Sequence, residues 1–277
     1  MKRLFFLFVV MLCILVGSSS FAAWNETTVR KGQPELLKSV IEKASTTKNA
    51  VVVFDLDSTL LDARLRSLRI YHEYGSQFNI PELFNVERRN VAGWNFRDHF
   101  LSSGMKKDLA LKLDEEIKTF WKPRFFSNEY VANYDIPLPG ALDYVNTIYK
   151  TGANIVYITG RNDDLKTGTI ATLKHFGFPI NVARTTLIMK PAKLVQKTEG
   201  YTHEKQSQID EDYKITATKK AKAIGNVIAV FDNEPTHINL YSDQFQGATV
   251  VFVDTDTSPL KTKPYSTLPV INGWLMK

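Results

Sequence analysis

Short all-apolar runs alternate along this chain with stretches in which apolar residues return every three or four positions. Pro34 to Lys48 carries Leu36, Leu37, Val40, Ile41 and Ala44 at helical spacing, and the run Val51, Val52, Val53, Phe54 follows almost at once. A run of that length with no polar position is a strand buried on both faces. The alternation repeats. The pattern predicts helix over Ala141 to Tyr149, strand over Asn154 to Ile158, helix over Asp164 to Phe176, strand over Thr185 to Met189, helix over Thr216 to Ile224, strand over Val227 to Phe231, and a last strand over Thr249 to Val253. Strands alternating with helices predict an α/β fold: a doubly wound, Rossmann-like parallel sheet with helices on both faces and ligands at the carboxyl ends of its strands.

Residues 63–135 break the rhythm with mostly helical stretches and a cluster of aromatics, Phe120, Trp121, Phe125, Phe126, Tyr130 and Tyr134. An excursion of this kind after the first core strand predicts a helical cap over the strand ends. The chain is thereby divided into a core of residues 23–62 and 136–277 and a cap of residues 63–135. Most of the cap's aromatics are expected to form a small core of its own. The polar stretch from Lys190 to Lys214 shows little periodicity and is expected to be a long surface loop.

The first 22 residues have a different character. Lys2 and Arg3 precede the apolar run Leu4 to Val16, and Ser20 and Ala22 supply small residues before a cut, the pattern of a secretory signal peptide. Thirteen apolar residues are too few to cross a hydrocarbon core, which needs about 20 in a helix. Export to the periplasm or the exterior is therefore expected, with a mature chain from Ala23. Removing Lys2 and Arg3 lowers the formal charge of +6 to +4 and removes Cys13, the one cysteine. A disulfide framework and a cysteine-ligated metal are excluded. The mildly basic balance suits anionic substrates, but no arginine-rich run accompanies it, and charge alone does not make nucleic acid a partner.

The chemistry gathers at the strand ends. Asp55, Leu56, Asp57, Ser58 and Thr59 leave the first apolar strand together. From ordinary residue usage, Asp-x-Asp-x-Thr arises by chance in roughly one chain of this size in twenty-five, and far less often behind a buried strand. Two carboxylates at one strand end repel each other unless a cation, hydrogen bonds or a shared proton relieves them, which points to a hard divalent metal, Mg²⁺ first. Thr159, Gly160 and Arg161 follow the next core strand, and Asp232, Asn233, Glu234 and Pro235 follow the strand Val227 to Phe231.

This set resembles the haloacid dehalogenase superfamily over nearly all of the mature chain, and the second aspartate resembles its phosphatase branch, including the secreted acid phosphatases. The resemblance implies that Asp55 attacks phosphorus. Asp57, kept protonated by its anionic surroundings, would protonate the leaving oxygen and later activate water. Thr159 and the backbone near Gly160 would hold the phosphoryl oxygens. The Asp55 carboxylate, the Asp57 carbonyl and Asp232 would ligate Mg²⁺. The family lysine is assigned to Lys219, at the expected start of the helix from Thr216, with Lys190 as its chief competitor. The family more often carries a second acid four or five residues past Asp232; Thr236 and His237 occupy those places here, and Glu234 is a candidate substitute.

No Gly-x-Ser-x-Gly elbow, phosphate loop, dinucleotide fingerprint or paired-histidine zinc motif competes. The implied activity is an exported, Mg²⁺-dependent phosphomonoesterase acting on a small-molecule phosphate ester through an aspartyl-phosphate. Trp94, Arg97, Trp121 and Arg124 are candidates to contact the leaving group. Alternatives on the same fold are a polynucleotide-end phosphatase, suggested by the basic balance, and a noncatalytic binder of phosphorylated ligands. A binder has no need of an acid/base beside a nucleophile.

Overall fold

Because β1 (Ala50–Phe54) has no polar position, it can only be a central strand, covered on both faces. Its side chains alternate as a strand requires: Val52 and Phe54 join one apolar cluster and Val51 and Val53 the other. The structure, a computed structural model, describes residues 28–194, 203–258 and 261–277, with 203–207 by backbone alone. The signal-peptide expectation for residues 1–22 lies outside the described residues.

In chain order, α1 (Gln33–Thr46) leads into β1, and the two-residue strand β2 (Leu61–Asp62) follows the turn after it. Then come α2 (Arg64–Phe78), two 3-10 turns at Pro81–Asn85 and Arg88–Asn90, and α3 (Phe96–Ser102), α4 (Lys107–Glu116), α5 (Lys118–Phe125) and α6 (Asn128–Tyr134). The core resumes with β3 (Ile136–Pro137), α7 (Ala141–Lys150), β4 (Asn154–Asn162), α8 (Lys166–Phe176) and β5 (Thr185–Lys190). It ends with α9 (His203–Ile224), β6 (Asn226–Asp232), α10 (Pro235–Gln244), β7 (Thr249–Val253) and β8 (Val270–Ile271).

Among the described residues the main sheet has six strands in the order β5-β4-β1-β6-β7-β8, all parallel. Val53 lies opposite Val156 on one side and Val230 on the other. From β1 the chain moves outward through β4 and β5, then returns to the other side of β1 with β6. The order thus reverses beside the carboxyl end of β1, the place where open α/β sheets bind ligands. Helices α1 and α7 cover one face through Leu37, Val40, Tyr144 and Ile148, while α9 and α10 cover the other through Tyr213, Ala217, Ile238 and Tyr241.

Helices α2 to α6 pack around a separate apolar cluster that includes Tyr71, Leu83, Phe100, Leu113, Trp121 and Phe125. The two ends of this insertion are stapled by the antiparallel pair β2–β3. Its last helix is also fastened to the core. The Gly168 N–H donates to Asn128 Oδ1 at 2.6 Å, the Thr172 hydroxyl donates to the Val131 carbonyl at 2.8 Å, and a Cβ at Gly168 would lie 2.5 Å from the Asn128 carbonyl oxygen. No larger residue allows that approach of α6 to α8.

Two elements differ from the sequence expectation, and both bear on the site. Strand β4 runs past Ile158 to Asn162, so Thr159, Gly160 and Arg161 belong to the strand end. Helix α9 begins at His203, far ahead of Thr216, so residues 203–214 are helix where a loop was expected. Among its described side chains the buried positions are Tyr213, Lys214, Ala217, Thr218 and Ala221, so a lysine and a threonine interrupt the apolar stripe that reveals a helix.

Candidate active site

The turn after β1 is shaped by its own backbone: the Leu56 carbonyl accepts the N–H groups of Thr59, Leu60 and Leu61, and Ser58 takes a left-handed φ of 55°. The turn is then tied to its neighbours. The Trp274 indole N–H donates to the Thr59 carbonyl at 2.7 Å, and the Thr59 hydroxyl donates to Asn233 Oδ1 at 3.0 Å while accepting the Asn233 N–H at 3.1 Å. The Asp55 N–H donates to the Phe231 carbonyl at 2.9 Å. The ends of β1 and β6 are thereby locked together, with Asp55 and Asp232 side by side.

Between those two carboxylates lies a lysine that sequence reasoning missed. Lys214 Nζ, wholly buried, donates to Asp55 Oδ1 at 2.9 Å, to Asp232 Oδ2 at 3.0 Å and to the Ile158 carbonyl at 3.3 Å. The assignment of Lys219 is corrected accordingly: Lys219 is exposed, five residues further along α9 and turned well away from Lys214 on a helix of 3.6 residues per turn. The expected helix start at Thr216 had left Lys214 in a loop. Lys190 is no substitute, since its Nζ pairs with Asp210 at 2.6 Å. Burial pushes the Asp55 carboxyl up to about 7, against the pull of Lys214 and with the help of Asp232 and Asp57. At Asp232 burial acts in the same direction, but Lys214, His237 and the Glu234 N–H outweigh it and hold the group below the usual carboxylate range. His237 Nδ1 lies 3.8 Å from Asp232 Oδ2.

Asp57 differs from expectation in its charge. Arg161 grips it with Nε on Oδ2 and Nη2 on Oδ1, both at 2.7 Å, and Arg66 of α2 adds Nη2 to Oδ1 at 2.8 Å. Burial raises its proton affinity, but the two guanidinium groups overcome that effect and hold the carboxyl down at about 2. Asp57 therefore rests ionised, not protonated. The sequence placed Asp55 beside it but could not show the arginines arriving from β4 and from the insertion. Thr159 is buried, with its hydroxyl accepting the Arg161 N–H at 3.2 Å, and Gly160 lies between them at the strand end.

Of the four leaving-group candidates, Trp94 is 54% exposed. Its ring meets that of Phe125 edge-on, and Phe125 in turn stacks under the Arg66 guanidinium at 4.2 Å. Phe126 is exposed beside them. Trp121 is buried, donating to the Ser67 hydroxyl; Arg124 lies over the Phe120 ring; Arg97 pairs with Asp98.

A metal could be held by Asp55, Asp232 and the Asp57 carbonyl. Glu234 is corrected as a ligand, because its carboxylate is taken by the N–H and hydroxyl of Ser258 at 3.0 and 2.7 Å. Among the described residues no three His, Cys, Asp or Glu side chains converge as a metal cage. Mg²⁺ does not require one, since it commonly takes one or two carboxylates and completes its shell with water and substrate phosphate. The charge balance fits as well: Asp55, Asp57, Asp135 and Asp232 face Lys214, Arg66 and Arg161, one acid in excess.

Residues 115–235 match the family model described as "HAD superfamily, subfamily IIIB (Acid phosphatase)". The match spans Thr159, Lys214 and Asp232 but not Asp55 and Asp57. No curated protein matches the chain. Among solved structures, a candidate phosphatase from Clostridium difficile is 14% identical with a TM-score of 0.49, covering 77% of this chain and 89% of its own. A class C acid phosphatase from Bacillus anthracis with bound tungstate is 14% identical with a TM-score of 0.37, covering 77% of this chain and 65% of its own. A Pseudomonas syringae hydrolase is 21% identical with a TM-score of 0.36, covering 73% and 83%. These likenesses are too distant to carry a conclusion by themselves. Taken with Asp55 and Asp57 behind β1, the matched segment makes the chain similar to the acid phosphatases of the haloacid dehalogenase superfamily.

Proposed function

We propose that this is an exported, Mg²⁺-dependent phosphomonoesterase that hydrolyses small phosphate esters through an aspartyl-phosphate on Asp55. The observation that carries the reading is the buried Lys214 bridging Asp55 and Asp232, with Asp57 two residues beyond the first. A carboxylate and a phosphate dianion repel, and a fixed ammonium between two strand-end carboxylates is what offsets that repulsion. Mg²⁺, when bound by Asp55, Asp232 and the Asp57 carbonyl, supplies further neutralisation of the phosphoryl oxygens.

Attack by Asp55 displaces the alcohol or phenol and leaves an acyl phosphate. Asp57 Oδ1 receives two N–H donors and Oδ2 only one, so Oδ2 is the oxygen with capacity for a proton. The arriving phosphate adds like charge beside Asp57 and raises its proton affinity from the resting value, which favours the acid form when the leaving oxygen needs it. After departure the ionised Oδ2 takes a proton from water as that water attacks phosphorus. Thr159 and the backbone at Gly160 support the phosphoryl oxygens. Trp94 and Phe126, two exposed rings that each meet Phe125 edge-on, are the apolar surfaces we assign to the leaving group, an assignment that suits small esters with an aromatic or nucleoside part.

Export is supported by Lys2, Arg3 and the run Leu4 to Val16. Among the described residues no helix is long and apolar enough to cross a membrane. A turnover screen of residues 23–277 against nucleoside, sugar and aryl monophosphates, with Mg²⁺ and with chelator, tests the reading. Mg²⁺-dependent release of phosphate from at least one class is expected, and no release from any class contradicts it.

A further inference from the structure

Four ionic groups meet where the insertion joins the sheet, and only one of them, Asp57, has a part in the reaction set out above. Arg66 stands in the first turn of α2 and Asp135 directly after α6, so they flank the two ends of the insertion. Both side chains are almost completely buried. Arg66 reaches three partners: Nη2 donates to Asp57 Oδ1, Nη1 donates to the Phe125 carbonyl at 3.0 Å, and Nε forms an ion pair with Asp135 Oδ1 at 2.5 Å that is not aligned as a hydrogen bond. Arg161 answers from β4. Its Nη2 donates to Asp135 Oδ2 at 2.6 Å as well as to Asp57, and its Nη1 donates to the Thr169 hydroxyl at 3.2 Å. Asp135 thus holds one guanidinium on each oxygen, and both guanidinium groups meet again on Asp57.

Two buried arginines and a second buried carboxylate are a poor device for stability alone, because such groups gain little over apolar packing of the same volume. What they do achieve is direction. With two donors on Oδ1 and one on Oδ2, the Asp57 carboxylate is fixed in rotation, and at 34% exposure its side chain still opens to the site. We propose that Arg66 and Asp135 are positioning residues for the acid–base step: Asp135 aligns the two arginines, and the arginines turn Asp57 so that Oδ2 is presented to the leaving oxygen. Because Arg66 and Asp135 belong to the insertion's ends while Asp57 and Arg161 belong to the core, the aim of Asp57 depends on how the insertion is seated.

This rests on the phosphatase reading with Asp57 as acid and base, and the test separates the two. The constant kcat/KM reports steps up to leaving-group departure. Departure of nitrophenolate needs little protonation, whereas departure of an alkoxide needs a well-placed acid. Arg66→Lys and Asp135→Asn are compared with wild type on 4-nitrophenyl phosphate and on glycerol phosphate. In both variants the ratio of kcat/KM for the alkyl ester to that for the aryl ester is expected to fall roughly tenfold or more, a part of the 10²–10⁴ that a positioned acid contributes. Should Asp135→Asn fail to fold, Arg66→Lys reads the same ratio. An unchanged ratio, whether both rates fall together or neither falls, overturns the positioning role and leaves a structural one. Where the turnover screen finds a better alkyl and aryl pair of esters, the ratio is read on that pair, and wild-type inactivity on every class of the screen overturns the phosphatase reading and the proposal with it.

Discussion

Replacing Lys214 with Met removes one ammonium and keeps most of the side-chain volume. Nζ is wholly buried between Asp55 and Asp232, at 2.9 and 3.0 Å, so its loss leaves two carboxylates without their shared partner. Breaking a buried ionic group in this way costs about 3–5 kcal/mol. In a domain of this size each kcal/mol shifts Tm by roughly 2–4 °C, so a drop on the order of 10 °C is expected in the metal-free protein at pH 7.5. The loss should shrink in acid. Burial already pushes Asp55 up to about 7, and without the opposing Lys214 it rises further; an acid whose folded proton affinity is raised destabilises the fold when ionised and stops doing so as pH falls through that value. Turnover should fall by roughly 10²–10³-fold, the cost of removing a donor from developing charge. Lys219→Met, on an exposed position, should stay within about 0.5 kcal/mol of wild type with unchanged turnover. Scanning fluorimetry between pH 5 and 8 and ester turnover, on both variants, check this. Equal defects at the two lysines, or Lys214→Met with wild-type Tm and rate, refute the argument.

Adding Mg²⁺ to the metal-free protein near pH 7 should release protons as Asp55 ionises, measurable by calorimetry in two buffers of different ionisation enthalpy and lost in Asp55→Asn; binding without proton release contradicts it. Trp94→Ala and Phe126→Ala should each raise KM for an aryl ester by about 2–10-fold, the equivalent of one aromatic contact, and leave glycerol phosphate unaffected; equal effects on both esters would deny the rings a role in leaving-group choice. Mass measurement of the secreted form should find a chain beginning at Ala23 or within a few residues of it, and a retained Met1 contradicts export by cleavage.

What the sequence reveals about this molecule follows the distance over which each feature is decided. The run Val51 to Phe54 can be only a doubly covered strand, so Asp55 and Asp57 are legible as strand-end carboxylates, and the parallel sheet follows from repetition of the same pattern. Lys214 is hidden by its helix. The buried positions of α9 include Lys214 and Thr218, which interrupts the apolar period that marks a helix, and a helix begun too late makes Lys219 the natural choice. The charge of Asp57 is hidden for another reason: it is set by Arg161 and Arg66, and their convergence depends on β4 extending past Thr159 and on the insertion docking at its stem. Arg66 and Asp135 lie at opposite ends of the insertion, and no local pattern joins them.

In the proposed mechanism Asp55 carries the phosphoryl group while Asp57 manages the protons. Asp57→Asn mixed rapidly with ³²P-labelled 4-nitrophenyl phosphate and Mg²⁺ tests it most directly. Departure of nitrophenolate needs little acid, whereas hydrolysis of the aspartyl-phosphate needs the missing base. A burst of phenolate followed by slow turnover is expected, with the label retained on Asp55. A label on any other residue, or a covalent phosphoryl-enzyme formed by Asp55→Asn, contradicts it.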